Sequence, residues 1–328
     1  MEKIRWGILA TGGIAHKLAQ AISDCEDGTL VAVASRTQAR AEQFAQQWKI
    51  PRCYGSYEAL VADAEVDVVY IATPHSFHYD NMLQCLNAGK HVLCEKPLTL
   101  NAKQAQVCIA LARSKGLFLM EAVWTRFIPA IRQAVQWVQA GAIGKVRLIQ
   151  ADFCINIPFN AMHRLYAPEL GGGALLDLGI YPLTFTTLFL GLPASFTSTA
   201  HLNEVTGVDE LVAMTLRYDN GALAQLSTSQ RVALPIEAVI AGSEGSIKVH
   251  ELFIRPDRLC LHRLGQAEEV HELPFRSNGY IHEVEEVHQC LRAGRLESGI
   301  MPLDETVALM KIMDAMRHGW GFRYPHEY

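Results

Sequence analysis

The opening of the chain restricts its fold more than anything that follows. Ile4 to Ala10 is a short, nearly continuous apolar run; Thr11-Gly12-Gly13-Ile14-Ala15 comes directly after it, and a helical pattern then runs to Ala21 or Ile22. Strand, glycine turn and helix in that order begin a dinucleotide-binding unit. Glycine lets the main chain approach a pyrophosphate, and the free N–H groups at the helix start point at it. Set against G-x-G-x-x-G, Ala10 takes the first glycine position, Gly12 the second and Ala15 the third. Alanine is accepted at the third. At the first, Ala10 is expected to avoid the positive φ that only glycine adopts cheaply.

The next segments repeat the alternation. Leu30 to Ala34 reads as a second strand ending in Ser35-Arg36-Thr37, where an NAD site would place Asp or Glu for the ribose 2′-hydroxyl. No acid stands there, and Ser35 and Arg36, with Arg40 a helical turn later, suit a 2′-phosphate, so NADP is expected rather than NAD. A third strand, Val66 to Ala72, runs into Thr73-Pro74-His75-Ser76-Phe77-His78, and a helix follows from about Tyr79 to Ala88. His75 and His78 flank the cofactor in this geometry. The strand from Lys90 to Leu93 then delivers Cys94-Glu95-Lys96-Pro97 to the same edge. Most lysines after a strand are merely solvated, but Pro97 stops the ladder and restricts Lys96 to extended geometry. A further helix, Asn101 to Lys115, and a strand, Leu117 to Glu121, close a first domain of residues 1–122.

The second half, residues 123–328, has another rhythm. After a helix from Ala130 to Ala140, strands are expected at Val146 to Ile157, Leu211 to Tyr218, Ala222 to Arg231, Ile236 to Ala241, Ser246 to His250 and Leu259 to Arg263. Tight turns between them, Asp219-Asn220-Gly221 above all, give a mostly antiparallel sheet. With helices around Leu183 and at Ile281 to Ala293 this is an α+β domain, and a capped helix near 304–318 with a methionine stripe is expected to pack at the domain junction. Gly171-Gly172-Gly173 precedes a helix in which Asp177 and Tyr181, four apart, fall on one face.

Half of the 328 residues are hydrophobic and 19% are charged, with a net charge of −5 and no block of like charges. That composition offers no footprint for nucleic acid or an anionic membrane and favours a small-molecule partner. Eight cysteines form no CxxC pair or metal-ligand cluster and read as reduced thiols of a cytoplasmic protein. No signal peptide and no long apolar span is evident.

Four stretches together resemble the Gfo/Idh/MocA oxidoreductases, closest to their dihydrodiol dehydrogenase and NADP-dependent aldose dehydrogenase branch: Gly7 to Ala15, Ile71 to His78, Cys94 to Pro97, and Gly171 to Pro182. The resemblance implies an α/β fold, with an N-terminal Rossmann-type parallel sheet and a C-terminal α+β domain. It implies a catalytic Lys96 followed by a cis-proline, and Trp124 and Arg126 of the W-T-R-F segment against the nicotinamide. It implies tyrosine at 181 rather than the histidine of other branches, Phe153 and Arg164 near the substrate pocket, and a homodimer through the C-terminal sheet. Cofactor contacts are expected from Thr11 to Ala15, Ser35, Arg36, Arg40, Thr73, Pro74, His75, His78, Glu95, Lys96, Trp124 and Arg126. A hydroxyl that gives up hydride must also lose its proton to a base. Tyr181 is expected as that acid/base, with Lys96 polarising the substrate oxygen and Asp177 orienting the substrate or the lysine. The substrate is an aldose or a cyclic trans-dihydrodiol. Two alternatives stand: a non-catalytic NAD(P)-binding sensor, and a sugar hydrolase or epimerase that recycles a bound nicotinamide.

Overall fold

A computed structural model describes residues 2–325 and 327. The chain divides into two compact units. One runs to Trp124 and takes in Arg276–Val307; the other is Thr125–Phe275 with the residues from Ala308 onward. Residues 276–307, which a single break near 122 leaves with the second half, thus join the first unit.

The first unit is built on six parallel strands: β1 (Ile4–Leu9), β2 (Gly28–Ala34), β3 (Arg52–Tyr54), β4 (Val68–Ile71), β5 (His91–Glu95) and β6 (Leu119–Ala122). Their order is β3-β2-β1-β4-β5-β6. The order reverses at β1, so the loops after β1 and β4 face each other across the crevice where doubly wound sheets bind ligands. Helices α1 (Gly13–Asp24), α2 (Gln38–Trp48), α3 (Tyr57–Val61), α4 (His78–Asn87) and α5 (Ala102–Lys115) make the crossovers. Local chemistry sets their ends. The Asn101 side chain accepts from Gln104 N at 2.9 Å at the start of α5, and Gly116 ends it with φ +65°.

The second unit holds α6 (Pro129–Gln139), β7 (Val146–Cys154), α7 (Ile180–Leu190), β8 (Ser195–Leu202), β9 (Asp209–Arg217), β10 (Leu223–Ser229), β11 (Ala238–Gly242), β12 (Gly245–Val249), β13 (Arg258–Arg263) and β14 (Glu269–Glu272). They form an eight-stranded sheet, β14-β13-β12-β11-β7-β10-β9-β8, antiparallel except where β10 runs parallel to β7. The Asn220-Gly221 turn joins β9 to β10, with Tyr218 N on Ala222 O at 3.1 Å and Gly221 at φ +82°. β9 alternates strictly, burying Val212, Met214 and Leu216 and exposing Leu211, Ala213, Thr215 and Arg217. The long apolar stretch Pro168–Leu190 has the length and composition of a membrane span, but 78% of it is buried within the protein, as a core helix is.

Two last helices follow. α8 (Ile281–Arg292) belongs to the first unit, where Trp6 Nε1 donates to His288 Nε2 at 2.9 Å. In α9 (Leu303–Gly319) the methionine stripe is core: Met310, Met313 and Met316 are buried, whereas Val307 is only half-buried. All eight cysteines are free thiols and seven are buried.

Candidate active site

In the first unit, predicted site residues gather at the C-terminal ends of β1, β2, β4 and β5. Ala10 departs from expectation: its φ is +82°. The sharp exit from β1 is therefore made at the cost of placing a Cβ in a left-handed conformation, about 1–2 kcal/mol for an L-residue. Gly12 caps α1 at φ −74°, ψ 176°, a conformation open to any residue. A Cβ added to Gly12 or to Gly13 would meet nothing within 4 Å. Neither dihedral strain nor internal crowding asks for glycine here. What the missing side chains keep clear is the approach to the N-terminus of α1, as a dinucleotide pyrophosphate requires. Ile14 and Ala15 begin the helix, and Ala15 is fully buried against the sheet. Thr11 Oγ1 donates to Ser35 Oγ at 3.3 Å, which ties the β1 and β2 ends together. Arg36 and Arg40 are exposed beyond them, and Arg36 lies near enough to Tyr57 to oppose the upward push of burial on that phenol.

The β4 and β5 ends are cross-braced. His78 is fully buried, with Nδ1 2.8 Å from Pro97 O and Nε2 2.9 Å from Thr73 O. Burial, reinforced by His75 and more weakly by Lys96, pushes His78 down to about 4 against the pull of the two carbonyls. The neutral ring donates to one carbonyl at a time, and both of its nitrogens serve the main chain. Asn81 Nδ2 donates to Thr73 Oγ1 at 3.0 Å, and His75 and Thr73 are buried with Pro74 between them half-buried. The Lys96–Pro97 bond is cis, as the family resemblance implies. Glu95 is buried below Lys96: its Oε1 accepts from Tyr70 at 2.5 Å and its Oε2 from Lys96 N at 3.2 Å. Trp124 is buried and stacks on Tyr280, ring centroids 4.1 Å apart and 3° from parallel.

In the second unit the chemical residues lie around Gly171–Pro182. Residues Leu175–Gly179 are π-helical and α7 begins only at Ile180. Asp177 therefore lies in the π-turn and Tyr181 in the first turn of α7. Asp177 is 3% exposed and clamped by Arg164, NH1 on Oδ1 at 2.9 Å and NH2 on Oδ2 at 3.3 Å. Such a fork fixes both groups. Tyr181 is 6% exposed, with its ring edge-on to Phe153 at 5.3 Å. Arg126 is buried, and its NH2 donates to Thr187 Oγ1 at 2.9 Å. The glycine run here has the opposite reason from Gly12-Gly13. A Cβ on Gly172 would lie 2.8 Å from Leu165 O, and one on Gly173, at φ +124°, would lie 2.4 Å from Asp209 Oδ1.

Four residues that sequence reasoning passed over support these groups: Tyr70, Glu283, Asp209 and Tyr324. Only Tyr70 interrupts an apolar run, in Val68-Val69-Tyr70-Ile71-Ala72; the other three leave no local signal. Glu283 of α8 is fully buried with neither carboxylate oxygen hydrogen-bonded, and burial together with Glu95 raises its pKa well above the carboxylate range. Among the described residues no cluster of ligands for a metal ion occurs.

Comparison with known proteins fixes the lineage. A model of the oxidoreductase family with an NAD-binding Rossmann fold matches residues 4–123, and one of the GFO/IDH/MocA C-terminal domain matches residues 131–248. The chain belongs to the Gfo/Idh/MocA oxidoreductases. It is 40% identical to trans-1,2-dihydrobenzene-1,2-diol dehydrogenase of Danio rerio, with 99% of each chain covered. It is 38% identical to D-xylose 1-dehydrogenase (NADP(+)) of Hypocrea jecorina, covering 98% of this chain and 93% of the other. Among solved structures, KijD10, a 3-ketoreductase from Actinomadura kijaniata in complex with NADP and TDP-benzene, is 29% identical, with a TM-score of 0.88 over 97% of this chain and 98% of that one. This Gfo/Idh/MocA member is accordingly an oxidoreductase with an NAD-binding Rossmann fold.

Proposed function

We propose that the protein oxidises a hydroxyl-bearing carbon of an aldose or a cyclic trans-dihydrodiol, with Tyr181 as acid/base, Lys96 polarising the substrate oxygen, and Asp177 and Arg164 positioning the substrate against Phe153. NADP, when bound, supplies the hydride acceptor; the chain's own residues do the rest. Gly12 and Gly13, bare for no internal reason, admit the pyrophosphate to the start of α1, and this observation carries the reading. Ser35, Arg36 and Arg40 hold the 2′-phosphate. Thr73, Pro74, His75, Glu95, Trp124 and Arg126 serve the nicotinamide end, and His78 shapes it through the Thr73 and Pro97 carbonyls. Arg164 is held in place by its fork on Asp177.

Two further statements belong to this reading. The exposed face of β8 to β10 carries Thr197, Thr199, Ala213, Thr215 and Gln225 at its centre, a short-chained polar patch that suits a homodimer formed face to face. Eight unpaired cysteines suit the cytoplasm. Purified protein with NADP+ and a panel of aldoses and trans-dihydrodiols tests the chemistry: net NADPH absorbance with at least one class is expected. Binding without turnover would identify a sensor instead, and substrate conversion without net absorbance a recycled nicotinamide.

A further inference from the structure

The turn that carries Asp177 and Tyr181 is gripped from two sides by residues far away in sequence. From β9, Asp209 Oδ2 accepts from Leu175 N at 2.5 Å, at the very start of the π-turn. Its Oδ1 is buried, has no hydrogen-bond partner, and lies where a Cβ of Gly173 would stand. From the C-terminal segment, Tyr324 donates its hydroxyl to Gly172 O at 2.6 Å. Tyr324 is itself fixed: Arg317 packs over its ring at 4.7 Å, and Glu327 accepts from both Arg317 NH1 at 2.8 Å and Tyr324 N at 3.1 Å. Asp209, Tyr324 and Arg317 are all buried, and Asp314 completes the pairing of Arg317 at 2.6 Å.

We infer that Asp209 is a positioning residue, whose carboxylate anchors the N-terminal end of the Asp177–Tyr181 turn while Tyr324 latches the preceding glycine. The inference rests on the reading of Asp177 and Tyr181 as site residues. A carboxylate is the right group for the place, because the first N–H groups of a helical segment have no internal partner and favour negative charge. The fit admits nothing larger on the facing residue, which is why position 173 is glycine. Burial raises the Asp209 pKa to about 7, with the Leu175 amide and the Arg317 charge pulling it back. Arg317, Glu327 and Asp177 bear on the Tyr324 hydroxyl on the latch side; Glu210, the next residue on β9, is engaged by Arg231, at 3.0 Å, and by His201. Because burial opposes ionisation, the fold holds the Asp209 proton more tightly than the unfolded chain does, and its contribution to stability is complete below about pH 4 and lost as pH rises through about 7.

Asp209→Asn keeps an acceptor for Leu175 N but has no charge. The expected result is a fall in kcat of about tenfold with an NADP+ Kd within twofold of wild type. Deuterium exchange in the 171–182 peptide should quicken at least fivefold in Asp209→Asn and in Tyr324→Phe, with NADP+ absent. Wild-type exchange together with an unaltered kcat in both variants would overturn the inference. Tyr181→Phe and Asp177→Asn separate the two layers: if they abolish turnover while Asp209→Asn does nothing, only the anchor fails, and if they retain turnover, the site reading fails.

Discussion

Arg36 offers a quantitative test of how the β2 end reads the cofactor. Ser35 is 5% exposed and held by Thr11 at 3.3 Å, while Arg36, the next residue, is exposed to solvent. A charge-assisted hydrogen bond contributes about 1.5–3 kcal/mol, or roughly 10- to 150-fold in affinity. Because Arg36 is exposed, screening puts it at the low end. Arg36→Ala should thus weaken NADP+ about tenfold and leave NAD+ within twofold, and the double variant with Arg40→Ala should weaken NADP+ further. Fluorescence titrations with each cofactor at low and physiological salt measure this, and the salt dependence of NADP+ binding should shrink in the variant. Equal weakening of NADP+ and NAD+, or unchanged NADP+ binding, would refute the assignment of Arg36 to the 2′-phosphate.

Other consequences can be checked by melting and titration. Ala10→Gly removes a left-handed alanine and should stabilise the protein by about 1 kcal/mol, seen as a rise in Tm of about 2–4 °C. A Cβ at Gly12 meets nothing within 4 Å, so the Tm of Gly12→Ala without cofactor should match wild type while NADP+ affinity falls in the same titration. Glu283 binds its proton more tightly in the folded state than in the unfolded one. Its contribution to stability is therefore complete below about pH 4 and lost as pH rises toward its folded-state pKa. Glu283→Gln should flatten that loss, and urea unfolding above neutral pH should find the variant the more stable by about 1–3 kcal/mol.

Much of the parallel sheet was legible because each buried strand is a short apolar run closed by a turn signal, as at Ile4 to Ala10 and Val66 to Ala72. The edge strands β3 and β14 escaped because edges need little apolar content, and β8, reading Ser-Phe-Thr-Ser-Thr-Ala-His-Leu, shows its alternation faintly. The C-terminal boundary of the long β7 run failed, since the strand stops at Cys154 rather than Ile157, while its start at Val146 held. Within the site, Lys96 and Tyr181 stood out because a proline and a glycine run mark their neighbourhoods. The conformation of Ala10 was misjudged because steric preference alone was weighed, whereas the turn out of β1 overrides it. The π-turn at Leu175–Gly179 is invisible to a periodicity of 3.6. Asp209 and Tyr324 could not be seen at all: their importance exists only once β9 and the C-terminal segment meet the glycine run, contacts that no local pattern encodes.

The assignment of the chemistry to Lys96 and Tyr181 is most directly tested by single-turnover oxidation with preloaded NADP+, on whichever aldose or dihydrodiol the wild type accepts. Lys96→Met and Tyr181→Phe should each slow hydride transfer at least a hundredfold, about 2.7 kcal/mol or more of transition-state stabilisation, while NADPH binds with nearly unchanged Kd. Hydride transfer at the wild-type rate in either variant would contradict it.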